Sequence, residues 1–253
     1  MKKTRIIARL DVKNEFVIKG IHLEGLRKIG NPNELARKYY SQGIDEIIFM
    51  DAVAAYYDRN SLSHIIEKAC EEIFVPITVG GGIRNINDIQ IALNSGADKT
   101  AINTAAVKNP NFIKEASKVF GSQCIVSSID AKKNNNNFWE VYTDNGREPT
   151  GINVIDWAKE VESLGAGEIM LTSIDKEGTK KGFDNDLNKI VSEIVTIPII
   201  SSGGAGNSTH ILELLDVSKI DAVALASVIH YEIEDVKTIK KNISESNLIS
   251  VRL

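Results

Sequence analysis

Cysteine is scarce in this 253-residue chain. Cys70 and Cys124 stand apart, with no CxxC pair and no histidine at ligand spacing from either. Histidine is as thin, with His22, His64, His210 and His230 scattered along the sequence. Neither pattern suits a metal centre, so no metal and no cofactor are expected. Long apolar runs are also missing. Runs such as Ile47–Met50 fall far short of the ~20 residues a membrane helix needs, so no membrane association is expected. The N-terminal MKKTRIIARLD has two lysines, but Arg9 breaks its apolar run before it could serve as a signal-peptide h-region. The expectation is a cytoplasmic protein. There is no basic arm or stripe, and the formal net charge of −4 is spread over interspersed acids and bases, which argues against a nucleic-acid partner. With 43% apolar and 25% charged residues the composition is that of a globular protein. No low-complexity linker divides it, so residues 1–253 are expected to form one domain.

What is present is a rhythm. The short apolar runs RIIARLD, EIIFMD, PITVGG, KTAIN, CIVSSID, EIMLTS, PIISSGG and DAVALAS alternate with amphipathic stretches such as NPNELARKYYSQG and INVIDWAKEVESLG. Eight strand–helix units in this length predict an α/β protein of the (β/α)8 TIM-barrel class. An open doubly wound sheet, the rival, predicts neither a closed eightfold count nor a repeat. A repeat is visible. GIDEIIFMD at 43–51 resembles GAGEIMLTS at 165–173, and PITVGGGI at 76–83 resembles PIISSGGAG at 198–206, at one constant offset. AINTAAV at 101–107 parallels ALASVIH at 224–230, one residue further on. The barrel therefore reads as two duplicated half-barrels, about 1–120 and 121–253. Two long loops are expected, 12–31 after strand one and 131–151 after strand five. The second has Asn134–Asn137 at its tip, and its FWEVYT predicts a small hairpin.

In such barrels ligands bind at the carboxyl ends of the strands. Asp11 ends strand one and Asp130 ends strand five, so they are expected to face each other across the mouth. Opposed carboxylates suit a general acid and a general base; the plain alternative is that each caps a loop or helix. Two glycine-rich turns follow, with Gly81 and Gly82 after strand three and Gly203 and Gly204 after strand seven. Their neighbours are Asn103 and Thr104 after strand four, and Ala226 and Ser227 after strand eight. Glycine lets backbone N–H groups approach an anion. Two matched sites point to a small-molecule substrate carrying a phosphate at each end. Strand alternation supplies a further feature. If Asp11 points inward, so do Arg9, Ile7 and Arg5, and Arg5, Glu46, Lys99 and Glu168 form a charged ring at the barrel floor. That ring is either a salt-bridged plug or a gate.

The chain resembles the cyclase subunits of imidazole glycerol phosphate synthase, from histidine biosynthesis. The resemblance runs essentially end to end, through RIIARLDVK, VIKG, TVGGGI, INTAAV, FGSQ, SIDAK, GAGEIMLTSID, PIISSGGAG and ASVIH. It implies a bis-phosphorylated ribulosyl-formimino-aminoimidazole carboxamide ribonucleotide as substrate. It implies a heterodimer in which a glutaminase subunit sits at the N-terminal face of the barrel. Ammonia from that subunit would enter through the gate of Arg5, Glu46, Lys99 and Glu168, with Asp98 at the partner interface. Asp11 and Asp130 would act as general base and acid, releasing imidazole glycerol phosphate and aminoimidazole carboxamide ribonucleotide. Lys19 matches the family's mobile-loop lysine, and Thr172 and Gly178 fall in motifs of the substrate site.

Three departures from the family pattern stand out. Arg9 replaces a small residue, often cysteine, and by alternation lies mid-barrel, where Asp11, Asp51 or Asp130 could pair with it and where it would narrow an ammonia path. The loop after strand one reads NEFVIKGIHL, and Asp175-Lys176-Glu177-Gly178-Thr179 replaces Asp-Arg-Asp-Gly-Thr. These edits keep three alternatives open: an ammonia-using paralogue that amidates a surface-polysaccharide sugar, the aldose–ketose isomerase barrel of the same pathway, and a non-catalytic partner of a glutaminase.

Overall fold

A computed structural model describes residues 3–54, 62–134, 138–246 and 250–251. Of the expected loop tip at 134–137, residues 135–137 lie outside the described residues. Eight parallel strands close into a barrel: β1 (Lys3–Lys13), β4 (Glu46–Asp51), β5 (Ile77–Gly80), β6 (Lys99–Ile102), β7 (Ile125–Lys133), β10 (Glu168–Ser173), β11 (Ile199–Ser202) and β12 (Ala222–Leu225). Neighbours pair in that order, β12 pairs with β1, and the β7–β10 ladder completes the ring. This is the expected (β/α)8 class.

Alternation along each strand sorts side chains into two cores. Ile6, Leu10, Phe49, Ile129 and Leu171 point outward and pack under helices that carry Tyr39, Trp157, Ile211 and Ile239. Ile7, Ile48, Ala101, Val126, Met170, Ile200, Ala222 and Ala224 point inward and fill the lower barrel. At roughly 25 cal/mol per Å² of apolar surface removed from water, the outer cluster is the main source of cohesion. The inner one sets what passes along the axis.

Asparagines start the helices in matched places. Asn31 accepts from the backbone N–H groups of Asn33 and Glu34 ahead of Pro32–Ser41, and Asn153 accepts from Ile155 ahead of Val154–Ser163. Asn85 caps Ile86–Asn94 and Asn207 caps Ser208–Val217. Each satisfies orphan donors of a first helical turn.

The segment after strand one differs from the loop read in the sequence. β1 continues to Lys13, pairs antiparallel with β2 (Phe16–Ile21), and β2 pairs with β3 (Glu24–Gly30). The turn between β2 and β3 is His22-Leu23, both in the left-handed region at φ 53° and 63°. Hairpin turns of this twist usually announce themselves with Asn-Gly or Gly, and here that signal is missing. The conformation is held instead by docking: His22 N–H donates to the Glu177 carbonyl at 2.8 Å, and the ring Nδ1 lies 2.9 Å from the Ile174 carbonyl oxygen. The hairpin expected in 131–151 is present as β8 (Trp139–Thr143) and β9 (Glu148–Asn153).

No helix among the described residues is long and apolar enough to cross a membrane. Among them, too, no group of three His, Cys, Asp or Glu side chains is placed to hold a metal ion.

Candidate active site at the barrel mouth

Strand parity turns Arg5, Ile7, Arg9 and Asp11 inward from β1, as expected. Arg9 is 3% exposed. A buried guanidinium needs partners on every side, and Arg9 finds three. Its Nε donates to Asp11 Oδ1 at 2.8 Å, and one terminal nitrogen donates to Thr172 Oγ1 at 2.9 Å and Ser202 Oγ at 3.1 Å. The side chain thus crosses the barrel from strand one towards β10 and β11.

Lys19, from β2, is buried and donates to the other Asp11 oxygen at 3.3 Å and to Glu177. Both oxygens of Asp11 therefore face cations. Burial alone would raise its pKa, but Arg9 and then Lys19 overcome this and hold it at about 2. Burial lowers the pKa of Lys19, and Asp11 opposes that shift.

Asp130 has the opposite surroundings. Burial pushes its pKa up to about 6, with Arg9 lowering it and Asp11 raising it. One oxygen accepts from Asn103 Nδ2 at 2.9 Å; that amide also donates to the Tyr142 carbonyl at 3.2 Å. Asn103 Oδ1 is buried with no hydrogen-bond partner among the described residues.

A cavity of about 440 Å³ opens above this layer, lined by Asp130, Arg9, Asn103, Thr104, Gly81 and Gly82 among others. Arg84 and Lys108 add positive charge to its wall. Gly81 (φ 87°) and Gly82 (φ 73°) form the turn after β5. A Cβ on Gly81 would lie 2.3 Å from the Asp51 carbonyl oxygen, so no side chain fits. The corresponding turn after β11 has Gly203 at φ 95° and Gly204 at φ 108°. The residues opening the next helices share one unusual backbone, Asn103 at φ −120°, ψ −88° and Ala226 at φ −133°, ψ −82°. The second cradle gathers Lys19, Gly178, Gly203, Gly204, Ala226 and Ser227, but encloses only about 10 Å³.

The sequence reading put both aspartates in one open pocket. The structure brings them to one mouth, in adjoining spaces. Asp130 lines the large cavity, while Asp11 lines an adjoining space of about 10 Å³ with Lys19 and Glu177, and Ala52 and Asn145 border both. The physical reason is that Arg9 and Lys19 claim the Asp11 oxygens, and the hairpin carrying Lys19 covers it. Thr172 lies against Arg9 and lines neither cradle.

At the floor, Arg5 donates to Glu46 at 2.6 Å and Glu168 at 2.5 Å, and Lys99 donates to the same two carboxylates at 3.1 and 2.9 Å. The four charges close one ring. A cavity of about 290 Å³ lies outside it, lined by Lys3, Arg5, Lys99, Gln123 and Glu168. Asp98, exposed at this end, accepts from Ile77 N–H at 2.8 Å. That anchors the start of β5, as Asp221 anchors β11 through Ile199 and Asp45 anchors β1 through Ile6.

Three site residues were not singled out for a role by their position in the sequence. Glu177 is one: it falls in the altered motif, but its partner Lys19 lies far away along the chain. Ser202 carried a signal, since strand alternation puts it inward ahead of Gly203. His230 is buried, its Nδ1 2.7 Å from the Tyr39 hydroxyl and its Nε2 3.1 Å from the Arg9 carbonyl oxygen. Burial, then the charge of Lys19, lowers its pKa to about 4, so at neutral pH it holds strand one as an uncharged ring.

A closed parallel barrel with glycine turns and opposed carboxylates at its mouth is an enzyme of the (β/α)8 class. Residues 5–235 match the family model described as "Histidine biosynthesis protein". The chain is 60% identical to "Imidazole glycerol phosphate synthase subunit HisF" of Legionella pneumophila over 206 residues, 81% of this chain and 97% of that one. It is 50% identical to the protein of the same name from Pyrococcus furiosus over 253 residues, all of both chains. It is 45% identical to that of Methanococcus vannielii over 268 aligned positions, 98% of each. The chain belongs to the HisF family of imidazole glycerol phosphate synthase subunits.

Proposed function

We propose that the protein uses ammonia to cyclise a bis-phosphorylated ribulosyl-formimino-aminoimidazole carboxamide ribonucleotide. The products are imidazole glycerol phosphate and aminoimidazole carboxamide ribonucleotide. The observation that carries this reading is the pair of buried carboxylates at one mouth in opposite surroundings: Asp11 between Arg9 and Lys19, its pKa held at about 2, and Asp130 beside the Asn103 amide, its pKa raised by burial to about 6. A carboxyl poised near neutrality can give and retake a proton, while its neighbour remains ionised and stabilises positive charge developing on the attacking nitrogen.

The two glycine cradles hold the terminal phosphates. The first offers Gly81, Gly82, Asn103 and Thr104; the second offers Lys19, Gly178, Gly203, Gly204, Ala226 and Ser227. Asn103 fixes Asp130 from one side through its side-chain amide.

Ammonia enters at the floor from a glutaminase subunit seated on the N-terminal face. The balanced ring of Arg5, Glu46, Lys99 and Glu168 opens to admit it. Support for a partner there comes from Phe74, 78% exposed just ahead of β5, and from exposed Val119 and Val217 on helix ends ahead of β7 and β12. The path upward runs beside Arg9, which lines the large cavity together with Met50, Ala101 and Ser128.

The test is turnover of that bis-phosphorylated substrate by the isolated chain with an ammonium salt as nitrogen source. Product formation that rises with ammonium supports the reading. Rearrangement of substrate without ammonia would assign the isomerase reaction instead. Complementation of a histidine auxotroph lacking the cyclase decides whether the histidine intermediate is the acceptor.

A further inference from the structure

The two cradles have matched backbones but unequal contents. The first borders about 440 Å³ of open space. The second encloses about 10 Å³, room for about one water. One wall of it is the Glu177 side chain. Glu177 leans over the glycine turn so closely that a Cβ on Gly203 would lie 3.2 Å from its Oε2. Its other oxygen takes the ammonium group of Lys19, which lines the same cradle. A carboxylate over a glycine turn, paired with the site's lysine, has the chemistry of a bound phosphate oxygen pair.

We infer that Glu177 is an internal ligand of the second cradle, competing with a substrate phosphate both for the space over Gly203 and for Lys19. This rests on the twin-phosphate reading above. The surrounding contacts keep Glu177 in place. Its backbone carbonyl accepts from His22 N–H, and the next residue, Gly178, is pressed so close to the hairpin that a Cβ there would lie 2.2 Å from the Gly20 carbonyl oxygen. Lys19 and Glu177 therefore belong to two segments clamped backbone to backbone. When a phosphate displaces the carboxylate, Lys19 changes partner without leaving the cradle, and Asp11 keeps its second cation. Glu177 is thus a positioning residue for Lys19.

The test is calorimetric titration of the full chain with inorganic phosphate, for wild type, Glu177→Gln, Thr104→Val and the double variant. Thr104→Val isolates the second cradle by weakening the first. The double variant should bind phosphate at the second cradle about tenfold tighter than Thr104→Val alone, and Glu177→Gln should gain a second phosphate per chain. Equal affinity with and without Glu177, while the first cradle still binds, overturns the inference and leaves the twin-site reading standing. Absence of phosphate binding at both cradles in every variant overturns both. If Glu177→Gln does not fold, Glu177→Asp keeps the charge and shortens the reach. It should tighten phosphate about threefold, and no change overturns the inference.

Discussion

Arg9 Nε donates to Asp11 Oδ1 at 2.8 Å, two residues along one strand and on the same inward face. This contact holds the Asp11 carboxylate ionised and carries the arginine across the barrel to Thr172 and Ser202.

Replacing Arg9 by methionine leaves Asp11 buried with Lys19 as its one remaining cation among the described residues. Breaking a buried pair on one side costs on the order of 3 kcal/mol. Urea denaturation should show a loss of that size at pH 7. Because Arg9 stands in the wall of the large cavity, Arg9→Met should raise glutamine-supported turnover less than twofold. A many-fold rise would mean that Arg9 closes the path.

Asp130→Asn should lower ammonium-supported kcat by at least about 100-fold, the usual scale of acid–base catalysis, and Asp11→Asn by a similar factor through loss of the charge that stabilises the attacking nitrogen. Activity within tenfold of wild type in either variant would remove that residue's role.

The two aspartates also leave opposite marks on stability. Asp11 has a folded pKa of about 2, below its unfolded value, so its contribution is complete above about pH 4 and is lost as pH falls towards 2. Asp130 has a folded pKa of about 6, above its unfolded value. Its buried carboxyl is tolerated when protonated and becomes a burden as pH rises from about 4 through 6. Asp130→Asn should therefore raise stability at pH 8, by on the order of 2 kcal/mol, and change it little at pH 4. Thermal melts of the variant at the two pH values check this, and an equal effect at both would contradict the assigned surroundings of Asp130.

His230 sits between the Tyr39 hydroxyl and the Arg9 carbonyl. Its folded pKa of about 4 lies below the unfolded value, so its contribution is complete above about pH 6.5 and is lost as pH falls towards 4. His230→Ala should destabilise by about 1–3 kcal/mol at pH 7, the scale of unsatisfied buried polar groups, and by less at pH 5. Chemical denaturation at both values measures the difference.

Alternation made much of this legible from residues alone. The parity of RIIARLD put Arg5, Arg9 and Asp11 on one face, and the same rule put Glu46, Lys99 and Glu168 into a ring. The glycine turns declared themselves by type and by repetition. The hairpin over the mouth did not, because His22-Leu23 takes a left-handed turn with no glycine or asparagine to mark it. Its geometry comes from contacts with residues 174–177, remote in sequence. The partner of Arg9 was narrowed to Asp11, Asp51 or Asp130, but the two hydroxyls that complete its shell depend on strands across the barrel. The covering of Asp11 likewise follows from Lys19 and Glu177 meeting, and local pattern carries no trace of that.

Arg5, Ile7, Arg9 and Asp11 share one face of β1, so floor, filler, crossbar and carboxylate are spaced by the pleat of a single strand. Deleting one residue anywhere between Arg5 and Asp11 would throw those on one side of the cut to the outer surface. Evolution or an engineer can retune the barrel's entrance and exit by point exchange, but a change in the length of this strand uncouples them at once.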